Sequence, residues 1–100
     1  MWFNILKQVV KVGLIAGRHD MPVDEYIWDG PMEGGLKEHL GRLKQEADDW
    51  LEDREIKELH LYITGYTPAL TAFLRAWNNR GKLVMYHYDT ETKEYLPEEY

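Results

Sequence analysis

The segment Leu59-His60-Leu61-Tyr62-Ile63-Thr64-Gly65-Tyr66-Thr67-Pro68-Ala69-Leu70 constrains the chain most: an apolar run breaks at a glycine and turns at once into helix-starting residues. It reads as a buried strand followed by a helix, with Thr67 as the cap, Pro68 in the first turn and Gly65 at the bend. In an open parallel sheet such a junction lies beyond the carboxyl end of the strand. Helix amides exposed there favour an anion, and phosphates and nucleotides commonly sit in that position.

Two further strands and two helices can be read around it. Val9 to Gly17 is rich in β-branched residues and ends at Gly17-Arg18-His19-Asp20, so it predicts a first buried strand and a polar loop. Val23, Glu25 and Ile27 alternate with Asp24, Tyr26 and Trp28, which suggests a short strand. From Leu36 to Asp53 the residues Leu36, Leu40, Leu43, Ala47, Trp50 and Leu51 recur at steps of three and four, the pattern of an amphipathic helix. Its charges alternate in sign, as on a solvated face. A second helix is expected over about 67–79, with Ala69, Leu70, Phe73, Leu74 and Trp77 inward, closed by Asn79-Arg80-Gly81. Lys82 to Tyr88 reads as a third strand, and Asp89 to Lys93 as a turn into a terminal antiparallel strand at Glu94-Tyr95-Leu96. The order predicts one α/β domain over residues 1–100. It would be a Rossmann-like three-layer unit with a mainly parallel central sheet, two main helices and a C-terminal hairpin.

Composition narrows the function. The chain has 100 residues, room for one modest core. Twelve basic against 18 acidic residues give a net charge of −6, which argues against a general binder of duplex DNA or of anionic membrane. Yet residues 59–88 hold Arg75, Arg80 and Lys82 and no acid, so an anion can be received locally. Cysteine is absent, which removes disulfides, thiolate metal sites and thiol nucleophiles and fits a reducing, cytoplasmic setting. Serine is absent too, and with it every serine-nucleophile mechanism. No apolar run reaches the roughly 20 residues that cross a bilayer. The four histidines form no metal motif, no metal or other cofactor is expected, and neither the P-loop nor the dinucleotide glycine pattern occurs.

The residues left to carry chemistry cluster at strand ends. If the three strands are parallel, Arg18 and His19 emerge on the same edge as Thr64 to Pro68. Arg18 offers a planar donor fork for phosphate, and His19 a donor, acceptor or proton carrier near neutral pH. The bland reading pairs Arg18 with Asp20 or Asp24 and leaves His19 as a strand end. Thr64, Tyr66 and Thr67 add hydroxyls suited to phosphate or ribose, or to ordinary capping. His87 ends the third strand, where it either touches a ligand or packs among Tyr86 and Tyr88.

Leu61 to Leu70, read with Ile15-Ala16-Gly17-Arg18-His19, resembles the small stand-alone members of the CRISPR-associated Rossmann-like (CARF-type) domains. The resemblance covers roughly two-thirds of the chain. It implies a homodimer that binds a cyclic oligoadenylate second messenger across its two-fold axis, with Gly17, Arg18 and His19 in one ligand loop and Thr64, Gly65, Tyr66 and Thr67 in the other. If catalytic, the chain would be a metal-independent ring nuclease in antiviral defence. A ribose 2′-hydroxyl would attack the adjacent phosphate, with Arg18 and His19 as catalytic groups. Such sites often carry a Lys near the second turn, whereas the nearest basic residues here are Arg75, Arg80 and Lys82. The departure bears more on cleavage than on binding. A non-catalytic nucleotide sponge or sensor, or a purely protein-binding module, stays open beside it.

Overall fold

A computed structural model of the chain describes residues 9–17, 20–30 and 32–100. The elements follow in the order β1 (Val9–Ile15), β2 (Tyr26–Trp28), α1 (Leu36–Leu51), β3 (Glu58–Tyr62), α2 (Thr67–Trp77), β4 (Lys82–Asp89) and β5 (Glu94–Glu99). They build an α/β fold on one five-stranded sheet of order β2-β1-β3-β4-β5, parallel throughout except for β5. Register sets Val12 opposite Leu61 and Leu61 opposite Met85, so one face of the three central strands is a continuous apolar layer.

Both helices pack on that layer and on each other. Leu43, Ala47 and Leu51 of α1 share one core with Ala69, Ala72, Phe73, Ala76 and Trp77 of α2. Small alanines let α2 approach closely, while Phe73 and Trp77 fill the space beyond them. The described residues therefore form two layers, where the sequence reading expects three. The physical reason is topological: β2-to-β3 and β3-to-β4 step in the same direction along the sheet, so both crossover helices fall on one face. The link from β1 to β2 carries no helix among its described residues.

Four details differ from the sequence reading. The buried stripe of α1 is His39, Leu43, Ala47 and Leu51, at strict steps of four, whereas Leu36 and Leu40 are exposed. Tyr66, not Thr67, is the N-cap residue of α2, and Thr67 is its first helical residue. The strand around Ile27 shrinks to three residues, because β2 meets β1 only at Gly13–Tyr26 and Ile15–Trp28. The left-handed Asn78, φ 45°, ends α2 just before the expected Asn79-Arg80-Gly81.

The sheet face away from the helices is aromatic. Tyr62 and Tyr86 stack at 4.4 Å between centroids, and Tyr95 meets Tyr62 and Tyr88 edge-on, each at 5.2 Å. His60 joins the group: its Nε2–H donates to Glu58 Oε2 at 2.6 Å, and Tyr86 O–H donates to its Nδ1 at 3.0 Å in the neutral ring. The hydrogen bond from His60 holds the Glu58 carboxyl below its ordinary value, helped by the charges of Lys82 and His60 and opposed by partial burial. Burial pushes the Tyr62 and Tyr95 phenols up, with neighbouring tyrosines adding to it.

Candidate functional site

Strand order reverses between β1 and β3: the chain leaves β1 for β2 on one side and returns to β3 on the other. The crevice beyond the carboxyl ends at such a reversal is where open α/β sheets bind ligands. A cavity of about 530 Å³ lies there. Its floor is Ile15, Ala16 and Gly17 at the end of β1; Thr64 and Tyr66 form the side toward α2. Met32 and Gly34 wall it from the connection before α1, and Leu36 and His39 from α1 itself.

Each wall has a local cause. Gly17 and Gly34 both adopt left-handed backbone, φ 97° and 90°, a conformation that costs a side-chain-bearing residue and lets both turns fold tightly at the rim. The connection before α1 is tied down from three directions. Trp28 Nε1–H donates to Glu46 at 2.9 Å, Arg42 donates to the same carboxylate at 3.2 Å, and the second arm of Arg42 reaches the Glu33 carbonyl at 3.1 Å. Glu38 closes the start of α1 by accepting the Gly35 amide at 3.2 Å.

The polar groups are few and specific. Thr64 lines the cavity but is only 4% exposed, and its hydroxyl, itself shielded from solvent, has no hydrogen-bond partner among the described residues. A buried hydroxyl left unpaired costs about 1–3 kcal/mol, so this one favours a polar atom in the space beside it. The N-terminus of α2 follows directly. No side chain caps it, and Pro68 in its first turn contributes no amide, so the positive end of the helix dipole stands next to Thr64 and Tyr66.

His39 is 6% exposed and doubly held. Its Nε2 lies 2.9 Å from the Glu33 carbonyl, which can only accept, so Nε2 carries the proton. In the neutral ring Nδ1 then accepts the Tyr66 O–H at 2.5 Å, the rings meeting edge to face. The chain Glu33 carbonyl, imidazole, phenol thus ends at the cavity wall.

Of the residues expected from sequence, the fold brings Gly17, Thr64 and Tyr66 together on one cavity. Gly65 is exposed in the turn between Thr64 and Tyr66. Thr67 faces an adjoining groove with Pro68, Thr71 and Arg75, on the other side of His39. His87 stands apart from the cavity lining, on β4, with Nε2 2.8 Å from Glu98 of β5. Arg18 and His19 lie outside the described residues. His39 is the residue sequence reasoning missed: it sits in a charged helix segment, and its partners are 6 and 27 positions away.

No charged side chain lines the cavity among the described residues, and no group of three or more His, Asp or Glu is placed there or elsewhere among them to hold a metal ion. No described helix is long and apolar enough to cross a membrane. No family model, curated protein or solved structure matches the chain.

Proposed function

We propose that the cavity at the ends of β1 and β3 binds a cyclic oligoadenylate, on a Rossmann-like scaffold, and that the chain opens the ring by attack of a ribose 2′-hydroxyl on its neighbouring phosphate. The observation that carries this reading is a cavity at the reversal of strand order, lined by Thr64, whose buried hydroxyl is unpartnered, and adjoining an uncapped helix N-terminus. A phosphate oxygen accepts from the first amide of α2, and from Thr64 once its shielded hydroxyl turns toward the cavity. The apolar wall of Ile15, Met32 and Leu36 suits a base. About 530 Å³ suits a drug-sized ligand, and a ring of several nucleotides overfills it, so two copies of the chain share one ring. Arg18 follows the cavity-lining Gly17 in sequence, and we assign to it the stabilisation of charge on the phosphorane.

A sponge that binds without turnover is the second reading, favoured by the absence of charged side chains from the described lining. Purified protein mixed with a panel of cyclic oligoadenylates and cyclic dinucleotides, with no metal added, separates the two. Linear product ending in a 2′,3′-cyclic phosphate supports the nuclease, and Arg18→Ala is then expected to cut the rate about 10²-fold or more while weakening binding less. Tight binding with no product leaves the sponge. No binding across the panel overturns the nucleotide reading.

A further inference from the structure

We infer that Tyr66 and His39 form the proton relay of this site: Tyr66 is the catalytic residue that takes the proton from the attacking hydroxyl, and His39, behind it, receives the proton that Tyr66 gives up. The inference rests on the nuclease reading above and gives its proton-accepting role to residues other than His19.

The geometry is directional. The Glu33 carbonyl fixes the proton of the neutral His39 ring on Nε2, and Arg42 donates to the same carbonyl, so that acceptor is held from two sides. Nδ1 is left with its lone pair aimed at the Tyr66 hydroxyl. A phenol whose hydrogen is already committed to an imidazole presents only oxygen lone pairs to whatever occupies the cavity, and so it accepts a hydrogen bond there. This is the arrangement of nucleophile, base and orienting group that activates hydroxyls elsewhere, with the substrate's own hydroxyl as nucleophile. Both residues line the cavity.

The step balances without an added reactant. As the 2′-oxygen bonds to phosphorus, its proton passes to Tyr66 Oη and the Tyr66 proton passes to His39 Nδ1. The P–O5′ bond breaks with its electron pair on the 5′-oxygen. That oxygen takes the proton Tyr66 now holds, and the imidazolium returns its own to Tyr66, so that both groups end as they began. The transient imidazolium donates from both nitrogens, to Glu33 and to Tyr66.

The test measures binding and single-turnover cleavage separately, using the cyclic oligoadenylate that wild type cleaves fastest. Tyr66→Phe removes one oxygen and keeps the ring. It is expected to lower the cleavage rate about 10²-fold with Kd changed less than about threefold. His39→Ala is expected to do the same, with free imidazole restoring part of the rate, which a packing role would not produce. If that variant fails to fold, Tyr66→Phe alone decides. Cleavage by Tyr66→Phe within about threefold of wild type overturns the relay while the nuclease reading stands. Wild type that binds the ring and never cuts it overturns the relay and leaves the sponge. Wild type that binds nothing removes both.

Discussion

Thr64 and Glu58 show how differently two polar residues near opposite ends of β3 are used. Thr64 is buried without a partner, a cost that the free protein carries. Thr64→Val is therefore expected to leave thermal stability unchanged or raise it by about 1 kcal/mol, while weakening ligand binding about tenfold. Opposite signs in a melting curve and a titration check this; equal binding by the variant would remove Thr64 from the contact set. Glu58, by contrast, is fully engaged, and His60 lowers its pKa from the ordinary 4.5. Its contribution is complete above that value and is lost as pH falls through the lower folded value. Urea midpoints from about pH 7 down to 3 should fall less steeply for Glu58→Gln than for wild type on the acid side. His39 makes the limits of sequence reading plain at this scale. Leu36 and Leu40 look like core and are exposed, while the buried stripe runs through a histidine whose acceptors come from a distant turn and a carbonyl.

At the scale of elements, the central strands and both helices were legible because each has its own periodicity. Val12, Leu61 and Met85 sit in runs too apolar for anything but a buried strand, and the junction from Ile63 to Pro68 carries its own turn and helix-start residues. What could not be read was strand order and register. β2 is short because only two of its residues find partners on β1, and its place depends on Gly13. A Cβ at Gly13 would lie 2.5 Å from two carbons of the Tyr26 ring, so that ring lies directly over the β1 backbone. Gly13→Ala is expected to destabilise by about 1–3 kcal/mol, since the ring must leave or the strand must shift. Tyr26→Ala should absorb most of that penalty: the double variant is expected to be markedly less unstable than the two single effects added, measured by denaturant unfolding. Strict additivity would mean that the ring is not what Gly13 accommodates. The cavity depends on the same edge, because Trp28 and Arg42 hold the segment that supplies Met32 and Gly34.

At the scale of the molecule, a net charge of −6 sets a long-range field that opposes approach of the anionic ligand proposed above, whatever the cavity offers at contact. Raising salt from about 10 to 150 mM shortens the screening length from roughly 30 to 8 Å. The association rate of a cyclic oligoadenylate is expected to rise with salt over that range in stopped-flow measurements, the reverse of a basic nucleotide binder. A rate that falls with salt would mean that local cations dominate the encounter. The outer strand has a separate consequence. The Tyr100 amide donates to Leu83, which fixes the alternation of the β4–β5 ladder and turns the nitrogen of Pro97, opposite Tyr86, away from β4. The outward rim of β5 thus lacks a donor at Pro97, and Glu94, Glu98 and Glu99 lend the strand like charge. Two such rims repel and cannot complete a ladder. Copies of this chain are thereby steered away from endless edge-to-edge growth into fibrils through β5.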